Sequence, residues 1–186
     1  PIGSVMNWGC HPTVRGPKNS QISADFPGAY YTHMDEEAGG VNLFINGNLG
    51  GGVIPTNNPG TLLFGPPDWG SWEDVELWGD QLAKDAQAAL AGAEPLADPQ
   101  VELFPGTLRA QLLNIFFVLI GKLGLIAHEI PPFGGYGETD VIGWRFGPLA
   151  FASIPGEADP TIGLDLRAIL GGDYQIIGNV TQDWTG

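Results

Sequence analysis

Positive charge is the scarcest property of this chain. Seven Lys and Arg stand against 21 Asp and Glu, a formal net charge of −14. Seven scattered cations cannot build a useful basic patch, so nucleic acid is excluded as an expected partner, and an anionic membrane surface would repel the chain. Cysteine is nearly absent. The one thiol, Cys10, cannot form an intrachain disulfide, and its apolar neighbours favour a small buried hydrophobe over a reactive group. A long hydrophobic run is also lacking. The most apolar stretch, 112–127, is broken by Asn114, Gly121, Lys122 and Gly124 and is too short to span a bilayer. It is expected to be buried core, or a patch facing a partner or a lipid substrate. The chain opens Pro1-Ile2-Gly3 with neither an initiator Met nor a signal-like segment, and it starts and stops within structured-looking sequence. It is therefore expected to be a piece of a larger protein, with a mature processed chain as the alternative.

What remains is globular. Hydrophobic residues make up 43% of 186, enough for one domain, 1–186, with a core of its own. Gly and Pro are spread throughout and imply many loops, without forming one linker. Residues 3–10 and 41–46 have the pattern of short strands, with a helix over 24–37 between them, and 47–69 is expected to be loop. Ser71-Trp72-Glu73-Asp74 is a capping box that opens a helix to about Ala91, with Val75, Trp78, Leu82, Ala86 and Ala89 on one face. A strand is expected at 100–104, and another over Val141 to Ile154 ending in the turn Pro155-Gly156-Glu157. Asp159-Pro160 supplies an N-cap and a first-turn proline for a helix carrying an apolar stripe of Ile162, Leu166 and Ile169. Gly171-Gly172 ends it, and Tyr174 to Gly178 forms a last strand. Alternating strands and helices predict an α/β fold, a mixed β-sheet core with flanking helices.

Two residues stand where such a fold exposes chemistry. His11 follows an apolar run and precedes Pro12, which stops regular structure and presents the imidazole at a strand-to-loop transition. Glu157 follows Pro155-Gly156 between a strand and a helix, at the mouth of an α/β sheet where ligands commonly bind. From the residues alone each has a bland reading as well: a structural histidine, and a solvated carboxylate favoured by a helix dipole. His33, in His33-Met34-Asp35-Glu36-Glu37, is expected on a solvated helix face, and His128, before two prolines, is expected to be structural.

The segments Asn7-Trp8-Gly9-Cys10-His11-Pro12-Thr13-Val14 and Ile22-Ser23-Ala24-Asp25-Phe26-Pro27-Gly28 resemble the neutral/alkaline ceramidase family of zinc-dependent amidases. Ser153-Ile154-Pro155-Gly156-Glu157 resembles that family's P-G-E motif, and the flanks 143–151, 164–167 and 179–186 are similar to its neighbouring segments. The likeness covers most of 1–57 and 138–186, and is loose between them. It implies that His11 and Glu157 are zinc ligands and that Ser23 and Asp25 support a turn by hydrogen bonds. It also implies that a further zinc histidine lies upstream, and a zinc tyrosine downstream, in the remainder of the parent chain.

One departure bears on mechanism. The family places a nucleophilic serine in G-D-x-S-P or G-N-x-S-P, and the matching stretch here is Gly51-Gly52-Val53-Ile54-Pro55. Ile54 occupies the serine position, and sliding the register brings only glycine or valine there. Two readings follow. The chain belongs to a zinc amidohydrolase that attacks an amide, such as an N-acyl lipid, with metal-activated water. Alternatively, it is a non-catalytic structural or binding protein on the same fold. Its six Trp, nine Phe and four Tyr leave homo-oligomer formation open as well. The resemblance also implies a secreted, periplasmic or cell-surface location.

Overall fold

The computed structural model describes residues 3–55, 70–96, 100–126 and 129–182. In chain order the elements are β1 (Gly3–Trp8), α1 (Phe26–Glu37), β2 (Val41–Asn46), α2 (Trp72–Ala91), β3 (Val101–Gln111), α3 (Ile115–Lys122), β4 (Tyr136–Phe146), β5 (Leu149–Ile154), α4 (Pro160–Leu170) and β6 (Tyr174–Asn179). Strands β1 and β2 pair in parallel. A second sheet runs β3-β4-β5-β6, with only β5 and β6 parallel. The fold is α/β, with mixed strand pairing and flanking helices, as the alternation of elements predicts.

Asn7 ties the two sheets together. Its side-chain amide, on β1, donates to Ile45 O on β2 at 3.1 Å and to Ile177 O on β6 at 3.0 Å. All three residues lie near the C-terminal ends of their strands. The ends of β1, β2, β6 and, through the Ile154–Asn179 register, β5 therefore meet on one edge. Parallel strands ending together make a crevice that the following loops line.

Apolar burial holds α1 and α2 on the first sheet. Phe26, Tyr30 and Met34 of α1 are fully buried, joined by Cys10, Val14 and the α2 residues Val75, Leu82, Ala83 and Ala86. Trp8 lies edge-on to Phe26, with centroids 5.2 Å apart, and Phe26 edge-on to Phe44 at 5.8 Å, the quadrupole-favoured geometry. The α2 face differs from the expected one at its end: Ala89 is exposed, while Gly79 is buried against Ala29 and Tyr30. The caps are where the sequence puts them. Ser71 and Asp74 bond reciprocally in a capping box, and Asp159 caps α4 ahead of Pro160.

Four expectations need correction. First, the strand expected over 3–10 stops at Trp8, so Gly9 and Cys10 carry the chain out to His11. Second, the strand read over 141–154 is a hairpin, β4 then β5, and β4 starts earlier at Tyr136. Third, α4 does not bury its apolar stripe: Ile162 and Ile169 are exposed, and its one buried residue is Gly163, pressed on the Asn48 side chain. Fourth, of the two readings of the apolar stretch from 112, buried core is the one that fails. The stretch contains α3, in which only Val118 is buried.

Candidate metal centre

His11 and Glu157, 146 positions apart, converge on the sheet edge with Nε2 and Oε2 separated by 3.2 Å. The loop after β1 carries the histidine. Its shape is set by Asp25, whose buried carboxylate accepts hydrogen bonds from Val14 N (3.0 Å), Arg15 N (3.1 Å) and Phe26 N (2.9 Å). Ser23 Oγ accepts from Asp25 N at 3.2 Å, so the Ser-x-Asp pattern does support a turn. Asp25 holds φ 54°, ψ −149°, a left-handed backbone that costs a non-glycine residue energy and survives only where its surroundings over-determine it.

The glutamate is held from the other side. After β6 the chain folds back over the Pro155-Gly156 turn, with Val180 N donating to Gly156 O at 3.0 Å and Thr181 N to Ile154 O at 3.1 Å. That return forces Val180 to φ 53° and Gln182 to φ 68°, a second cluster of strain beside the site. Asn179 Nδ2 donates to Ala158 O at 3.2 Å, fixing the residue after the glutamate. Asp159 begins α4, and hydrogen bonds from the Thr161 hydroxyl and then the Thr161 amide hold its carboxyl below the usual range.

The loop after β2 closes the third side. Gly50 N donates to Ala158 O at 2.9 Å, and a Cβ on Gly50 would run into the Glu157 carbonyl, so glycine alone fits this crossing. Further along, Val53 O accepts from both His11 N and His11 Nδ1, each at 2.9 Å. A carbonyl oxygen can only accept, so Nδ1 carries the ring proton. That leaves the Nε2 lone pair aimed at the Glu157 carboxylate. Two lone pairs facing each other at this distance call for a proton or a cation between them. Bonds of about 2.0–2.2 Å from zinc to nitrogen and oxygen, opened to a tetrahedral angle, span about the same separation. The donor chemistry and spacing fit zinc, though among the described residues no group of three or more His, Cys, Asp or Glu comes together to hold a metal.

Ile54, which the family resemblance matches to the nucleophilic serine, follows Val53 directly on the loop bonded to His11, and its side chain has no proton to give. Cys10 offers no replacement. It is buried, and burial, with the Asp25 charge as a lesser cause, pushes its thiol up to about 12. His33 is not on a free face: its Nε2 lies 3.7 Å from Glu76 Oε2, joining α1 to α2. His128 lies outside the described residues. Asn7, Val53 and the strained segment at Val180 escaped the sequence reading. Of these only Asn7, an amide late in an apolar strand, carried a signal. A cleft of about 310 Å³ opens on the same edge between β3, β4 and Gln182, whose Oε1 accepts from Ser153 Oγ at 3.0 Å.

This architecture is the α/β fold of ceramidases. It is similar to the crystal structure of neutral ceramidase from Pseudomonas aeruginosa, with a TM-score of 0.68 and 16% identity over 98% of this chain and 38% of that one. It is also similar to a ceramidase complexed with C2, with a TM-score of 0.72 and 15% identity over 98% of this chain and 39% of that one. The chain thus spans about two-fifths of these proteins' length, and identities this low establish the fold alone. No protein-family model matches the sequence, and no curated protein matches it.

Proposed function

We propose that this chain contributes His11 and Glu157 as zinc ligands to an amidohydrolase of the neutral-ceramidase type, acting on an amide such as an N-acyl lipid. The observation that supports the reading is the histidine's bonding: Nδ1 is committed to Val53 O, and Nε2 faces the carboxylate at 3.2 Å. Histidines that bind metals characteristically donate their other ring N–H to a backbone carbonyl or carboxylate, which fixes tautomer and orientation. Zinc would supply Lewis acidity toward the amide carbonyl and activate water against it. The chain's own residues hold and orient. Val53 O sets the imidazole, and Val180 and Thr181 hold the Pro-Gly-Glu turn. Further donors come, in this reading, from elsewhere in the parent protein, as does a secreted, periplasmic or cell-surface location.

A second reading, a non-catalytic binding protein on the same fold, is favoured by Ile54 and by the two-donor centre. Zinc titration separates the two. Two ligands give little chelate advantage, so the 186-residue chain alone should bind zinc weakly. The full-length protein should bind it stoichiometrically and lose it on His11→Ala or Glu157→Gln. A full-length protein that binds no zinc supports the second reading. Tight binding by the chain alone, untouched by His11→Ala, means the ligands are others.

A further inference from the structure

We infer that the β3–β4 ribbon is an anchor that inserts the α3 tip into an uncharged or zwitterionic lipid surface, on the same side of the molecule as the His11–Glu157 edge. The register gives the direction. Strands β3 and β4 pair along their whole length, from Val101–Phe146 to Gln111–Tyr136, whereas β4 pairs with β5 only over Gly143–Phe146. Gly143 lies opposite Ala152, and lower numbers on β4 run toward the C-terminal end of β5, the end that delivers Glu157. The stretch from Gly143 back to Tyr136 covers about 24 Å at about 3.4 Å per residue, while β5 ends two residues past Ala152. The ribbon therefore overhangs the site's edge and carries α3 at its far end.

The tip is dressed for hydrocarbon. Val118 is its one buried residue, and Gly121 seats the helix on Ile130. Ile115 (56%), Phe116 (72%), Phe117 (43%) and Leu119 (52%) are exposed, as are Leu113, Leu123 and Leu125 beside them. At about 100° per residue these positions sweep roughly 200° of the helix surface. A protein partner covers one face, as it could cover the narrow Ile162–Leu166–Ile169 stripe of α4. Acyl chains cover every side at once. Among the described residues, no other helix or strand packs extensively on α3. Polarity then steps up along the ribbon. Next to the tip, Arg109 lies 5.3 Å over the Tyr136 ring and 2.9 Å from Glu138, an aromatic and charged collar of the kind found at membrane–water boundaries.

Charge selects the lipid. Residues 112–126 hold one ionisable side chain, Lys122, so the chain's −14 is this segment's +1 and −15 on the rest. Anionic headgroups would repel that body, and zwitterionic ones would not.

The inference is independent of the metal reading, because vesicle binding is measured without activity. The full-length protein should co-float with phosphatidylcholine vesicles. Adding phosphatidylserine should weaken binding at low salt, and raising the salt should restore it. Phe116→Glu with Leu119→Glu, and separately Leu125→Glu, should each cut partitioning at least tenfold while circular dichroism and the thermal midpoint stay unchanged. Ile169→Glu on α4 should leave it intact. Failure to bind phosphatidylcholine, binding that survives both α3 changes, or a dimer in solution that the double variant dissociates would each overturn the inference.

Discussion

Asp25 shows how much of the site one side chain can govern. Its carboxylate satisfies two amides of the His11 loop and the first amide of α1, at a left-handed backbone position. Asp25→Ala would orphan all three donors at once. It should destabilise the protein by about 2–3 kcal/mol in urea unfolding, with Asp25→Asn intermediate because one acceptor oxygen remains. The same carboxylate bears on Cys10, whose thiol burial pushes from 9.0 up to about 12. The folded state thus holds this proton more tightly than the unfolded chain. The contribution to stability is complete below pH 9 and is lost as pH rises toward 12. Alkylation of Cys10 by iodoacetamide at pH 8 should be at least about a hundredfold slower in the native protein than in urea, since it waits for the thiol to be exposed as thiolate. Native and unfolded rates that match would place the thiol on the surface.

At the scale of elements, legibility followed local chemistry. Helices α2 and α4 were readable to the residue at their starts because Ser71 and Asp159 cap them with their own side chains. Strand β3 was readable only in its first part: it was expected over 100–104, and it runs on through Pro105-Gly106 to Gln111. Ile142 N turns away to donate to Ser153 Oγ at 2.7 Å, so the Pro105–Ile142 pair needs no amide from proline, whose nitrogen faces the open edge. The expected core face of α4 failed for a tertiary reason: the helix meets the Asn48 side chain through Gly163, and that face rather than the Ile162–Ile169 stripe is buried. Gly79, where α2 crosses α1, gives a test in which two effects compete. Alanine there would gain about 1 kcal/mol of helix propensity. Its Cβ would, however, stand 2.6 Å from Tyr30 N and collide with Ala29 Cβ, so backbone would have to move. Overpacking costs about 1–3 kcal/mol, so Gly79→Ala should lower the thermal midpoint by several degrees.

For the whole molecule, the sheet edge explains why two short motifs far apart in sequence come together. A histidine stopped by proline and a glutamate released by Pro-Gly each mark a strand that has just ended, and parallel strands that end together bring them within 3.2 Å. The third wall stayed hidden, since nothing in Gly51-Gly52-Val53 announces a carbonyl that accepts twice from one histidine. The further donors that the family resemblance implies, an upstream histidine and a downstream tyrosine, lie outside the residues described. Crystals of the full-length protein grown with zinc and measured on both sides of the zinc absorption edge settle the assignment. The anomalous peak should lie about 2.0–2.2 Å from His11 Nε2 and from a Glu157 carboxylate oxygen, with Nδ1 still bonded to Val53 O. A peak on other donors, or none at all with the imidazole and carboxylate still in direct contact, would contradict the assignment of these two residues to a metal.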